Sequence, residues 1–277
     1  FNVFPQEYFW ELKIASLDPA DVENYRNFAS NPRDIYRTHL CFRDILYTVI
    51  EDPKDVLTAT EIYYKPNKRY KYTLNLFPNL TKIIIRNANL SEIPEQIIKK
   101  SLEYLYLADN KISRFPSAFF ALNLKKLSLA GNKLTKISKK FRNMTELRCL
   151  ILPNNFILQI PREICYLENL WNLNLANNYI NYLPTNFYGL ISLESLNLSN
   201  NWLREVPCQL FYMNLKHLDL SMNQIHEFPE ELTQMTSLLS LNLSHNYIKT
   251  IPKSIGNMHL FELNISHNKI TSIPDEI

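Results

Sequence analysis

The chain has 277 residues, of which 46% are hydrophobic and 21% are charged, as is usual for a globular protein. Its three glycines, Gly131, Gly189 and Gly256, lie far apart, which excludes a glycine-rich phosphate loop and a dinucleotide-binding fingerprint. No apolar run reaches the roughly 18 residues that a membrane-spanning helix needs.

The net charge of +3 conceals a strong segregation of charge along the chain. Residues 1–64 contain 6 Lys and Arg against 11 Asp and Glu, and residues 149–277 contain the same numbers, so each block has a net charge of −5. Residues 65–148 contain 18 basic against 5 acidic residues, a net charge of +13. Such a basic block attracts acidic partners, although a solvated lysine surface has the same composition.

The first 75 residues carry signals for helix starts. Asp18-Pro19 and Asn31-Pro32 each place a capping residue before a proline at the first helical position. They predict helices that end near residues 29 and 50, and Asp52-Pro53 predicts a third, short helix. We therefore expect residues 1–75 to form a small α-helical region that caps the domain that follows.

Within this region, residues 4–50 resemble an F-box, whose pattern is L-P-x-E, an apolar middle and then D-P-x-D-L. Phe4-Pro5 with Glu7 matches the start, and Asp18-Pro19 with Asp21-Val22 matches the turn. The resemblance implies docking to a Skp-type adaptor of cullin ubiquitin ligases. The residues that would contact the adaptor are Phe4, Pro5, Leu12, Ile14, Leu17 and Val22.

A repeat with the pattern L-x-x-L-x-L-x-x-N-x-L-x-x-I-P then runs to the end of the chain, with a period of 22 or 23 residues. We number its nine copies one to nine. They begin at Leu80, Leu102, Leu124, Leu147, Leu170, Leu193, Leu215, Leu238 and Leu260.

Each letter of the repeat has a structural reason. The L-x-L alternation predicts a short strand with one buried face. The proline fixes φ and blocks the continuation of a helix, so about ten residues per repeat are left for a return through 3₁₀ or polyproline segments. The asparagine ends the strand, and its buried amide is expected to bond the turn backbone. Stacked repeats would align these amides in a ladder of Asn110, Asn132, Asn155, Asn178, Asn201, Asn223, Asn246 and Asn268.

The pattern is similar to that of the leucine-rich-repeat family in its short, proline-containing form. The resemblance covers residues 80–277 and implies an α/β fold: a right-handed solenoid with a parallel concave β-sheet and an irregular or 3₁₀ convex side, preceded by the α-helical N-terminal region. We expect the repeat domain to span residues 76–277. No terminal cap follows Ile277, and an uncapped apolar end would aggregate, so we expect the natural protein to continue.

Two surfaces are candidates for partner binding. On the concave face, the early repeats carry bulky side chains at Tyr104, Tyr106 and Ile151, whereas the later repeats carry small polar ones. The second surface is the edge formed by the residue after each ladder asparagine, where exposed aromatics would mark a binding hot spot or would merely cover the turns. Its aromatic members are Phe156, Tyr179, Trp202 and Tyr247, and its cationic flank is Lys111, Arg114, Lys133 and Lys136.

Catalytic and metal sites are not predicted. His245 and His267 occupy equivalent positions in repeats eight and nine, but two histidines without a third ligand make a poor metal site. No serine or cysteine lies in a nucleophile motif, so we predict a protein that is not an enzyme and needs no cofactor. The four cysteines form no C-x-x-C pair, which favours a reducing compartment.

The sequence therefore predicts a cytoplasmic, non-catalytic protein-recognition module or scaffold whose basic block favours an acidic partner. One alternative is an F-box substrate receptor of a cullin ubiquitin ligase. Another is binding of phosphoinositide or RNA by residues 65–148, which is disfavoured because no aromatic-interleaved basic motif is present. High Asn, Ile, Lys and Tyr content is typical of AT-rich genomes, including those of intracellular pathogens, and an effector from such a source would act in the host cytoplasm.

Overall fold

The computed structural model describes residues 61–63, 79–98 and 101–276. The chain divides into two compact units, the first comprising residues 1–88 and 94–102 and the second residues 89–93 and 103–277. The predicted N-terminal helices, Cys41 and the F-box-like residues all lie outside the described residues. Those F-box-like residues are Phe4, Pro5, Leu12, Ile14, Leu17 and Val22.

In the first unit, two short strands pair in parallel. Strand β1 (Glu61–Tyr63) pairs with β2 (Lys82–Ile84) in repeat one, and a four-residue helix α1 (Glu95–Ile98) follows. Strand β1 lies where the sequence predicts only helices, so that prediction is wrong for these three residues. The segment E-I-Y has no leading leucine and no ladder asparagine, and the repeat template therefore misses it.

The second unit contains one parallel strand from each of repeats two to nine, paired in chain order. Equivalent positions face each other, as Leu150 faces Leu173, so the sheet has no register shift. This architecture confirms the predicted solenoid with a parallel sheet. The strands are β3 (Tyr104–Tyr106), β4 (Lys126–Ser128), β5 (Cys149–Ile151), β6 (Asn172–Asn174), β7 (Ser195–Asn197), β8 (His217–Asp219), β9 (Ser240–Asn242) and β10 (Glu262–Asn264).

The core of this unit is formed by the repeat leucines. In repeat five, Leu170, Leu173 and Leu175 are fully buried, and Phe187 fills the opposite side of the coil. Each such side chain stabilises the fold by about 1.5–3 kcal/mol through the apolar surface that it removes from water. Because one repeat covers its apolar face only by stacking on its neighbours, the repeats are stable as an array and not singly.

Short 3₁₀ helices form the side opposite the sheet, as predicted. In most repeats the proline lies just before the 3₁₀ helix and not at its end, because its extended backbone sets the entry angle and its carbonyl accepts the first hydrogen bond. In repeat five Pro184 lies three residues before the helix, and its carbonyl still accepts from the Phe187 N–H. In repeat three Ser138 replaces the proline, and the Ser138 Oγ accepts from the Lys140 N–H at 3.3 Å. The 3₁₀ helices are Ser117–Ala121, Lys139–Asn143, Arg162–Tyr166, Phe187–Gly189, Cys208–Tyr212, Glu230–Gln234 and Lys253–Asn257.

The ladder asparagines connect each repeat to the one before it. The Nδ2 of Asn178 donates to the carbonyls of Leu175 and Ala176 in its own repeat and of Leu152 in repeat four, at 3.0–3.1 Å. Its Oδ1 accepts from the Ile157 N–H at 3.0 Å. The same bonding pattern recurs at Asn132, Asn155, Asn201, Asn223, Asn246 and Asn268.

The residue before each ladder asparagine has a left-handed backbone, with φ near +55°. Glycine, asparagine and aspartate tolerate this conformation best, which accounts for Gly131 in repeat three. Met222 is the poorest fit, since an unbranched apolar side chain gains nothing that offsets the strain. The other positions of this column in repeats two to nine are Asp109, Asn154, Asn177, Asn200, His245 and His267.

Within the described part of the chain, no helix is both long enough and apolar enough to cross a bilayer.

Candidate functional site

The concave face changes character along the sheet. Tyr104, Tyr106 and Ile151 project from β3 and β5 and are half-buried, and the Lys126 Nζ lies 5.7 Å from the centroid of the Tyr106 ring. The sheet register places Tyr106 opposite Ser128 and Ser128 opposite Ile151, so a small residue separates the two larger ones. The early concave face is therefore bulky, with a lysine against an aromatic ring.

The later concave face is polar and shallow. A depression of about 300 Å³ lies over β7 to β10 and is lined by polar side chains such as Ser195, His217, Asp219 and Glu262. The Oε2 of Glu262 accepts from the Ser240 Oγ at 3.0 Å. With few long side chains in the way, a partner can approach the sheet closely here.

An asparagine or aspartate at the last strand position fixes the turn that follows. The Asn197 Oδ1 accepts from both the N–H and the Oγ of Ser199, at 2.9 and 2.7 Å, and Asp219 binds Ser221 in the same way. These bonds are Asx turns, in which a side chain takes the place of a backbone acceptor. The sequence Leu196-Asn197-Leu198-Ser199 and its equivalents in later repeats thus have a structural role at the strand end, which the repeat pattern alone does not predict.

The aromatic residues of the edge contact one another. The ring centroids of Phe156 and Tyr179 are 6.1 Å apart, and those of Tyr179 and Trp202 are 4.8 Å apart. One backbone hydrogen bond per repeat aligns them, since each residue donates to the carbonyl of the preceding repeat at 2.8–2.9 Å. Phe156 is 45% exposed and Trp202 is 48% exposed, so the rings cover one another only in part.

The exposed apolar surface at this edge includes residues that the sequence analysis did not predict. Leu158 follows Phe156 by two residues, Tyr182 follows Tyr179 by three, and about half of each side chain is exposed. We call Phe156, Leu158, Tyr179, Tyr182 and Trp202 the aromatic patch. Comparison of the third and fourth columns after the ladder asparagine would have revealed the two additional residues.

Tyr247 does not belong to this patch. Gln224 separates it from Trp202 in the column, and its ring stacks instead on His226, at 5.4 Å between centroids. The Lys269 Nζ lies 4.8 Å from the centre of the same ring. Tyr247 therefore already has neighbours on two sides, one of them a cation.

The cationic flank lies at the same edge in repeats two and three. We call Lys111, Arg114, Lys133 and Lys136 the cationic patch; all four side chains are exposed, and none forms an ion pair with another described residue. In contrast, Lys125 near the start of β4 pairs with Glu103 at 2.8 Å. The charge of the cationic patch is thus not neutralised by the described residues around it.

His245 and His267 stack on each other, with ring centroids 4.1 Å apart and an angle of 13° between the planes. The described residues contain no group of three or more His, Cys, Asp and Glu arranged to hold a metal ion. The contact is thus a ring stack between adjacent turns.

Three cysteines are free thiols in the described part of the chain: Cys149, Cys165 and Cys208. Burial raises the pKa of Cys165 to about 12 and also raises the pKa of Cys149, although Lys126 partly opposes the latter shift. Both thiols are therefore protonated at neutral pH and are poor nucleophiles. Cys208 is exposed.

Comparisons with known proteins identify the repeat. The family model described as leucine rich repeat matches residues 78–134, 145–203, 192–248 and 213–270. A solved structure of a leucine-rich-repeat protein from Leptospira interrogans is similar, with 30% identity and a TM-score of 0.64 over 78% of this chain. The match spans 60% of that protein's chain. A search of curated proteins found no match. The chain therefore belongs to the leucine-rich-repeat family.

Proposed function

We propose that this protein is a non-catalytic recognition module or scaffold that binds a partner protein through the concave face and the adjacent edge of its repeats. The aromatic patch is the observation that carries this proposal. The core is complete without these side chains, and half-exposed tyrosine and tryptophan are the residues that most often dominate binding energy at protein interfaces. The family to which the chain belongs supports the general role of an interaction scaffold.

A role without catalysis agrees with the openness of both surfaces. Enzyme sites usually enclose their substrates in a concave pocket, whereas the depression over β7 to β10 is wide and shallow. The two buried thiols are protonated at neutral pH, so neither Cys149 nor Cys165 is an activated nucleophile.

The free thiols of Cys149, Cys165 and Cys208 support a location in a reducing compartment, and we propose the cytoplasm. The cationic patch, which forms no ion pair with another described residue, supports an acidic partner. The F-box hypothesis depends on residues 4–22, which lie outside the described residues, and it needs a separate test.

Affinity capture with the full chain as bait tests the proposal. Three baits are compared by mass spectrometry: the unchanged chain, the triple variant Phe156→Ala, Tyr179→Ala, Trp202→Ala, and the concave-face variant Ser195→Arg, Ser240→Arg. We expect at least one protein partner to be retained by the unchanged bait and lost with one of the variants. If every retained protein binds all three baits equally, recognition by these surfaces is wrong.

A fourth bait addresses the F-box hypothesis. In the variant Leu12→Asp, Leu17→Asp, a Skp-type adaptor and cullin that are retained by the unchanged chain would be lost, while partners held by the repeats would remain. If no adaptor is retained by the unchanged chain, the F-box hypothesis is contradicted and the recognition module stands alone.

A further inference from the structure

We propose that the cationic and aromatic patches are one docking site for an extended acidic protein segment with an apolar anchor. This inference rests on the proposed recognition function and specifies the chemistry of the partner. The segment would lie along the edge of the solenoid, outside the concave face, with its carboxylates over repeats two and three and its apolar residues over repeats four to six.

The two patches are continuous because one column of the repeat carries both. Lys111, Lys133, Phe156, Tyr179 and Trp202 each follow a ladder asparagine in five consecutive repeats. The backbone N–H of each donates to a carbonyl of the preceding repeat, at 2.7–2.9 Å, and these bonds hold the column in register. Neighbouring repeats are about 4.8 Å apart, so the column spans about 19 Å, the length of roughly six residues of extended chain.

Charge limits where the acidic part of the segment can lie. Arg114 and Lys136 occupy the fourth position after the ladder asparagine in repeats two and three, beside the lysines of the column. The same position is Glu205 in repeat six and Glu227 in repeat seven, although Arg204 lies beside Glu205 and Lys249 and Lys269 follow in repeats eight and nine. The densest positive charge of the edge is therefore over repeats two and three, where the carboxylates of the segment would be attracted.

The aromatic patch provides the anchor. Phe156 and Trp202 are each nearly half exposed, and Leu158 and Tyr182 add apolar surface beside them. An aliphatic or aromatic side chain of the partner would bury this surface, and removal of apolar area from water would supply the affinity that exposed charge pairs do not. The lysines would then mainly select the partner and speed its association.

The spacing of the rings favours a peptide over single-stranded nucleic acid. A base that stacks between two rings needs about 7 Å between them, because each contact occupies about 3.5 Å. The Phe156–Tyr179 and Tyr179–Trp202 centroid distances are 6.1 and 4.8 Å, and the rings contact each other directly. A base therefore cannot insert between neighbouring rings of the patch.

A peptide-binding experiment with the full chain tests this site. Displayed random twelve-residue peptides are selected on the unchanged protein, and fluorescein-labelled nine-residue peptides are measured by fluorescence anisotropy. The labelled peptides carry three acidic and three apolar residues in either order, and control peptides carry lysine in place of the acidic residues or serine in place of the apolar ones. We expect the selected peptides to combine acidic with aromatic or aliphatic residues.

Matched variants assign the contacts. Tyr179→Ala, Trp202→Ala should weaken binding of the acidic–apolar peptide at least tenfold, as expected when central contacts are lost. Lys133→Glu, Lys136→Glu should also weaken it at least tenfold, because the reversal of two charges places like charges opposite the carboxylates of the peptide. Lys249→Glu at the same edge in repeat eight and Tyr212→Ala on a 3₁₀ helix change an exposed residue elsewhere, and they should change the affinity less than twofold. Circular dichroism melting confirms that each variant is folded.

Several results would overturn the proposal: no peptide binding at 1 mM, selected peptides without acidic residues, or an edge variant that binds the acidic–apolar peptide as tightly as the unchanged protein does. Tighter binding to phosphatidylcholine vesicles containing phosphatidylserine, or to a polyuridine oligonucleotide, would also overturn it in favour of a lipid or an RNA ligand. If a captured protein is lost with Ser195→Arg, Ser240→Arg but is unaffected by the edge variants, the recognition function stands and this docking site does not.

Discussion

The backbone N–H of Ile157 in repeat four donates to the Oδ1 of Asn178 in repeat five, at 3.0 Å. The turn of one repeat is thus completed by a side chain of the next, and the Nδ2 of the same asparagine returns a bond to Leu152 in repeat four. Both partners are buried, so water cannot replace the amide.

Replacement of Asn178 by alanine should therefore cost about 1–3 kcal/mol of the free energy of unfolding, because buried backbone groups of repeat four lose their partner. Chemical denaturation of the full chain measures this change. Asn181→Ala, at an exposed position three residues later, is the matched control and should change the free energy by less than about 0.5 kcal/mol. Equal effects of the two variants would contradict the structural role of the ladder.

Met222→Asn should stabilise the protein. Met222 has φ = +55° and its side chain is 52% exposed, so the substitution relieves backbone strain and removes no core contact. We expect a gain of about 0.5–1 kcal/mol, seen as a rise of a few degrees in the melting temperature. Gly131→Ala should instead destabilise the protein, because Gly131 has φ = +63° and Asp109 lies against the added methyl group. If Met222→Asn lowers the melting temperature, the strain argument fails.

Alkylation by iodoacetamide at pH 8 should separate the described cysteines by rate. The thiolate is the reactive form, and a raised pKa leaves little of it at pH 8. Cys165, whose pKa is raised to about 12, should react slowest, and exposed Cys208 should react first. Peptide mass spectrometry gives the order, and unfolding in guanidinium, which should equalise the rates, is the control.

The raised pKa of Cys165 also predicts how the free energy of unfolding depends on pH. The folded state holds the proton of Cys165 more tightly than the unfolded state, so this thiol's contribution to the free energy of unfolding is fully present below the ordinary thiol pKa. It declines as the pH rises from about 9 towards 12. Above pH 9, the free energy of unfolding of Cys165→Ala should therefore fall less steeply than that of the unchanged protein.

The triple variant Phe156→Ala, Tyr179→Ala, Trp202→Ala should bind its partner poorly and yet melt close to the unchanged protein. The rings contact one another but lie outside the core, so their removal opens no cavity. Differential scanning fluorimetry tests the second part, and a fall of more than about 10 °C would mean that the rings are structural.

The sequence was sufficient to predict the fold of the repeats because their pattern is redundant. A single leucine does not distinguish a strand from a helix, but nine copies of the pattern at one spacing together predict the strand, the turn and the segment that returns to the next strand. The stacking of Phe156, Tyr179 and Trp202 followed from the same spacing, since equivalent residues of adjacent repeats must lie side by side.

The features that the sequence did not predict depend on backbone conformation and side-chain exposure, which the repeat pattern does not specify. The left-handed column is occupied by residues as different as Gly131, Met222 and His245, which share a backbone conformation and no chemistry. Strand β1 has only three residues and forms because β2 presents an edge to it. Leu158 and Tyr182 occupy the third and fourth columns after the ladder asparagine, so the column of Phe156, Tyr179 and Trp202 alone does not include them.

Because the ladder asparagines from Asn132 to Asn268 bond their own repeat and the one before it, the array is modular in an evolutionary sense. Duplication or deletion of a whole 22- or 23-residue unit would restore every ladder contact, whereas an insertion of a few residues would break one. The place at which a repeat is added decides whether the aromatic patch stays continuous. A repeat added between Trp202 and Gln224 would leave the patch intact, whereas one added between Tyr179 and Trp202 would divide it. A change in repeat number would thus alter the binding edge while it preserves the ladder contacts.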